Sequence, residues 1–161
     1  YRGDFVKINY KRFAAAIAIP LAVGGVSALI TSGAMKEFAD VSKPPLSPPG
    51  WIFPVVWSVL YVLMGIASYI IVQSGAAPGE KKSALTAYGA QLFFNFFWSI
   101  IFFNFSAYLF AFVWLVIMFV LIIITYGRFA KIAKSAAYLL VPYILWVLFA
   151  AYLNLGVYLL N

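Results

Sequence analysis

The sequence predicts an all-α integral membrane protein built as a bundle of five transmembrane helices. Of its 161 residues, 66% are hydrophobic and only 9% are charged, whereas a soluble domain carries about 25% charged residues. The apolar residues also fall into five runs, each long enough at ~1.5 Å per residue to cross a ~30 Å hydrocarbon core. A third observation narrows the function. The chain holds no cysteine and no histidine, which removes disulfides, metal or haem ligation through either residue, and Ser-His or Cys-His catalytic units.

A single membrane domain over residues 1–161 is expected. The chain begins at Tyr1 rather than Met, so residues ahead of it are expected, and the first apolar run is too long for a cleavable signal. Tyr1 to Arg12 is a basic tail with Arg2, Lys7, Lys11 and Arg12. Beside a span it suits an anionic membrane surface and not nucleic acid. The first span covers about residues 13–35. Pro20 leaves the Ala16 carbonyl without its usual donor, predicting a kink, and Ala14, Ala18 and Ala22 form a small-residue stripe that permits close helix contact.

Residues 36–50 form the one long loop and read as a lid. Pro44, Pro45, Pro48 and Pro49 make it stiff, because each ring fixes φ and disfavours helix in the residue before it. Ser47 is expected to cap a helix starting at Pro48. The second span runs over about 51–73, with Trp57 and Tyr61 one turn apart. Residues 74–82 are a polar turn.

The third span, about 83–103, carries Gln91, Asn95 and Ser99 every fourth residue, hence on one face, with Trp98 beside them. Amides in hydrocarbon are costly unless bonded. Two readings stay open: hydrogen bonds between helices, or the few polar contacts of an apolar pocket. After a tight turn at 104–107, the fourth span, about 108–127, is nearly featureless and is expected to face lipid. The fifth, about 135–160, is kinked by Pro142 and places Tyr143, Trp146, Ala150 and Asn154 near one face, with Ala150 the small gap among large rings. Tyr126, Tyr138 and Tyr158 fit interfacial belts.

All Lys and Arg except Lys36 and Lys43 lie in the tail and in the second and fourth loops. The positive-inside rule then sets the N-terminus in the cytoplasm, and the lid and C-terminus outside. No charged residue falls within a span, which argues against ion-coupled transport. Aromatic walls with a few amides suit a receptor or carrier for a flat, apolar ligand.

The runs "SPPGWIFPVVWSVLYVLMG", "ALTAYGAQLFFNFFWS" and "VPYILWVLFAAYLN" resemble signature segments of the TspO/MBR family (tryptophan-rich sensory protein / translocator protein, peripheral benzodiazepine receptor). The resemblance implies a five-helix bundle, a homodimer, in a bacterial cytoplasmic membrane. It implies binding of porphyrins such as protoporphyrin IX, sterols, or isoquinoline and benzodiazepine drugs between the helices, with no obligatory cofactor and no metal. The candidate ligand-binding residues are Trp51, Trp57, Tyr61, Gln91, Asn95, Trp98, Tyr143, Trp146, Phe149, Ala150 and Asn154, under a lid carrying Lys43, Pro44, Pro48 and Pro49. Positions matching Trp57 and Trp146 have been linked in relatives to light-dependent porphyrin breakdown, so a photo-oxidative enzyme is the alternative to a binding protein. Phe38 and Leu46 stand in lid regions where many relatives carry Trp, and no basic residue follows Tyr158 as in the animal sterol motif.

A pocket without histidine or charge has nothing to titrate between about pH 5.5 and 8. Affinity for a neutral isoquinoline carboxamide is therefore expected to stay flat across that range in a binding titration. A tenfold change, about 1.4 kcal/mol, with the fold intact would contradict this.

Overall fold

The computed structural model describes residues 7–161; Arg2 of the basic tail lies outside them. The helices are α1 (Tyr10–Phe38), α2 (Ile52–Gln73), α3 (Pro78–Ser99), α4 (Tyr108–Ile132), α5 (Lys134–Tyr138) and α6 (Val141–Leu160). A π-helical turn, Ile100–Asn104, extends α3. Five helical segments, with α5 and α6 counted as one, are long and apolar enough to cross a membrane, and the protein is an all-α integral membrane protein. Chain direction alternates, so the start of α1, the end of α2, the start of α3 and the end of α4 share one face. There the Asn9 amide donates to the Tyr69 hydroxyl (3.0 Å), Lys81 Nζ to the Val72 carbonyl (3.0 Å) and Arg128 to the Ser83 carbonyl (2.8 Å). The lid lies at the opposite end.

Helix α1 runs from its Asn9 cap, whose side chain accepts from the Arg12 amide (3.2 Å), unbroken through Pro20. The basic tail is thus partly helical from Tyr10. The Ala16 carbonyl that Pro20 leaves free lies at the α1–α2 crossing. A Cβ built on Gly65 would stand 2.7 Å from that oxygen and 2.6 Å from Ile17 Cα, and one built on Gly24 would enter the Tyr61 ring. The two glycines let the helices approach this closely.

The buried seam of α1 is accordingly Pro20, Ser27 and Thr31, with Ala16, Ile17 and Gly24 beside it, and not the Ala14, Ala18, Ala22 stripe, which is exposed. Both patterns offer small residues at helical spacing. The seam with hydroxyls is the one turned inward, because Ser27 bonds the Phe96 carbonyl of α3 (3.1 Å) and the Ser99 hydroxyl.

Three other expectations change. Helix α2 begins at Ile52, not Pro48, and Ser47 instead donates to the Pro44 carbonyl (2.7 Å) in a turn of the lid. Pro48 precedes Pro49 and is pushed out of the helical region for that reason. The fourth span is not featureless in space. Ala111, Leu115, Met118, Ile122, Thr125 and Phe129 form a buried seam against α3 and α6, and Trp114 stacks on Phe94 (4.2 Å) while donating to its carbonyl (2.8 Å). Pro142 gives a break rather than a kink, since it opens α6 after the short α5 and cannot donate to the Tyr138 carbonyl.

Gly65→Ala is expected to lower stability by about 1–3 kcal/mol, as overpacking against rigid backbone does. Gly25, which has nothing within 4 Å of a built Cβ, is the control. Thermal unfolding in detergent should separate the two, and equal melting temperatures would contradict the close crossing.

Candidate functional site

Three helices bring most of the expected residues together in two adjoining places. The first is a hydrogen-bonded cluster inside the bundle. The Tyr61 hydroxyl (α2) donates to Asn95 Oδ1 (2.7 Å), and Asn95 Nδ2 (α3) donates to the Tyr143 hydroxyl (2.8 Å). The Tyr143 hydroxyl (α6) donates in turn to Gln91 Oε1 (2.6 Å), and Gln91 Nε2 reaches Met64 Sδ at 3.8 Å. All five residues are buried. Trp57 closes one side, stacked on Tyr61 at 5.6 Å and edge-on to Tyr143 at 6.2 Å. Spacing of four along α3 puts Gln91 and Asn95 on the face that meets α2 and α6, and each amide finds a partner from another helix. The polar stripe therefore ties helices together here. Ser99, the third member, faces α1.

The second place is a groove of about 460 Å³ between α2 and α6, lined by Val55, Val56, Val59, Leu60, Pro142, Leu145, Trp146 and Phe149. Its walls carry no charge. Aromatic rings continue along it: Phe53 to Trp146 at 5.8 Å, Trp146 to Phe149 at 5.6 Å, and Phe149 to Tyr152 at 6.1 Å. The Trp146 indole N–H is turned away from the opening, buried and without a hydrogen-bond partner.

The remaining candidates sit elsewhere. Trp98 donates to Asn154 Oδ1 (3.0 Å) and stacks on Phe102 (5.5 Å), while Asn154 Nδ2 donates to the Tyr108 carbonyl (2.8 Å). This second polar knot joins α3, α4 and α6 beside the π-helical turn. Ala150 is 5% exposed within the main core cluster, so the gap expected there is filled by packing. Trp51, 69% exposed at the head of α2, stands apart from both places.

The lid is a strap fastened to α6. Asn161 holds the Ser42 backbone twice, accepting from its amide (3.2 Å) and donating to its carbonyl (2.8 Å). Pro44 lies against Gly156, where a Cβ would approach it to 2.5 Å, and the Tyr152 hydroxyl donates to the Pro45 carbonyl (2.7 Å). The strap then turns at Leu46, which has φ 68° and is exposed. Lys43 is occupied. Its ammonium donates to the Phe38, Ala39 and Val41 carbonyls (3.0–3.2 Å) at the end of α1 and sits 4.7 Å above the Phe38 ring.

Sequence reasoning missed the groove walls Val55, Val59 and Leu145, and the strap anchors Tyr152, Gly156 and Asn161. In a wholly apolar span, another valine carries no contrast. Gly156 and Asn161 do stand out in an apolar helix, but their partners are more than a hundred residues away.

These features define a five-helix membrane protein whose uncharged polar interior adjoins an aromatic groove under a proline strap. The chain belongs to the TspO/MBR family, whose model matches residues 16–159. It is 36% identical over 146 residues to the Tryptophan-rich protein TspO of Chlorobaculum tepidum, covering 90% of this chain and 92% of that one. It is 32% identical over 135 residues to the Tryptophan-rich sensory protein of Cereibacter sphaeroides (81% and 83% covered). It is 36% identical over 120 residues to the Translocator protein of Ovis aries (74% and 71% covered).

Tyr143→Phe removes the hydroxyl shared by Asn95 and Gln91. It is expected to cost about 1–3 kcal/mol, because a buried donor and a buried acceptor are both left unpaired. Unfolding in a mild detergent measures this. A variant as stable as the parent would contradict the network's role.

Proposed function

We propose that this protein is a membrane receptor or carrier for flat, apolar ligands, tetrapyrroles foremost, with the groove between α2 and α6 and the adjoining aromatic cluster as its site. The observation that carries the reading is the pairing of shape and chemistry. A groove of about 460 Å³ walled by aliphatic residues, Trp146 and Phe149 falls in the usual size range of small-molecule sites, about 300–1,000 Å³. Its driving force is removal of apolar surface from water, about 25 cal/mol per Å², and indole and phenyl faces add about 0.5–1.5 kcal/mol per well-placed ring pair. With no charge in the walls, selection rests on flatness and aromaticity.

The names of the sensory and translocator relatives support a role in sensing or moving such a ligand. The basic residues Lys7, Lys11, Arg12, Lys81, Lys82, Arg128, Lys131 and Lys134 gather at the end away from the strap, which supports a cytoplasmic N-terminus and an outward strap.

Protoporphyrin IX titrated into the protein in lipid nanodiscs is expected to give a saturable Soret shift. Trp146→Ala should weaken it by about tenfold, near the 1.4 kcal/mol that a tenfold change represents. Val120→Phe, on the half-exposed face of α4, should leave it unchanged. No saturable shift, or equal affinities for all three proteins, would refute the reading.

A further inference from the structure

The strap and the groove differ in how they present the site to its surroundings. Along the strap, Ser42 meets Asn161, Pro44 meets Gly156 and Pro45 meets Tyr152. As the strap advances by one or two residues, its partner on α6 moves back by four or five. An extended chain rises ~3.3 Å per residue and a helix ~1.5 Å, so the strap lies flat along the last turns of α6, held at successive levels. Lys43 fastens its other end to α1 through three carbonyls. Entry from the water side would have to break these bonds together.

The groove has no such barrier. Val55, Val59 and Leu145, which line it, are 55%, 53% and 61% exposed. They lie in helices that cross the membrane, so this exposed side meets lipid. Helices α2 and α6 are not among the closely packed pairs of the bundle, and no interhelical hydrogen bond of the site crosses the groove itself. Only acyl chains need to leave for a ligand to enter, and a flat apolar molecule already concentrates among them.

We propose that ligands of this site exchange directly with the bilayer, passing sideways between α2 and α6 while the strap stays fastened. The proposal rests on the receptor reading above and adds the route. For a tetrapyrrole with carboxylates, the macrocycle slides in from hydrocarbon and its charged edge stays at headgroup level, since charge in hydrocarbon is costly.

The test uses the full chain in liposomes with protoporphyrin IX as the probe, following quenching of tryptophan fluorescence with time. The chain has no cysteine, so Ser42→Cys with Asn161→Cys gives two unique thiols at the clasp for a short bifunctional thiol reagent. The crosslinked strap is expected to leave the association rate within about twofold of the uncrosslinked double variant. Val59→Trp and Leu145→Trp, which fill the groove mouth from the lipid side, are expected to slow association by about tenfold. Melting temperatures check that each variant is folded, and each plug also tests the other. Slow association after crosslinking, or unchanged rates in both plugged variants, would overturn the route while leaving the receptor reading in place. Failure of the uncrosslinked protein to bind the probe at all would overturn both.

Discussion

The interior of this bundle depends on satisfying polar groups in hydrocarbon without using charge. Tyr61, Asn95, Tyr143 and Gln91 come from three helices and bond only to one another, with Met64 at the end of the chain. Each would be expensive if left alone in lipid, so the relative rotation of α2, α3 and α6 is constrained by their pairing. That rotation turns Trp57 onto the cluster and sets Trp146 and Phe149 on the side where α2 and α6 part. Close packing at Gly24 and Gly65 fixes α1 against α2, and the Ser27 hydroxyl fixes it against α3. The groove is what remains between the two helices that no such bond joins.

The strap follows the same logic at the membrane edge. Proline-rich backbone has few donors and cannot form a ladder, so its carbonyls and its few amides need side-chain partners. Tyr152, Asn161 and Lys43 supply them. A lysine that caps the end of α1 satisfies carbonyls that a helix terminus leaves free. It holds the strap in place.

Much of this was legible in the sequence. Five apolar runs gave the five spans, and the spacing of Gln91 and Asn95 gave their common face. Trp57 and Tyr61 were legible as neighbours one turn apart, and the structure stacks them. What sequence could not resolve was direction around each helix. On α1 the alanine stripe and the Gly24–Ser27–Thr31 line were equivalent as patterns, and only the hydroxyl partners on α3 distinguish them. On α4 every face is apolar, so hydropathy could not mark the seam through Leu115 and Met118. Ala150 is small and flanked by rings, which fits a cavity wall as well as a packed core; burial in the core cluster is a property of its neighbours. Long-range fastenings, such as Ser42 to Asn161, leave no local trace.

The central claim is that the space between α2 and α6, opening toward lipid, receives the ligand. Photoaffinity labelling addresses it directly, using a porphyrin bearing a diazirine, intact protein in native-like bilayers, and peptide mapping of the adducts. The account predicts saturable labelling of the residue 55–60 segment of α2 and the residue 142–149 segment of α6, displaced by unmodified protoporphyrin IX. Adducts confined to the lipid faces of α1 or α4, or labelling that unmodified porphyrin does not displace, would contradict it.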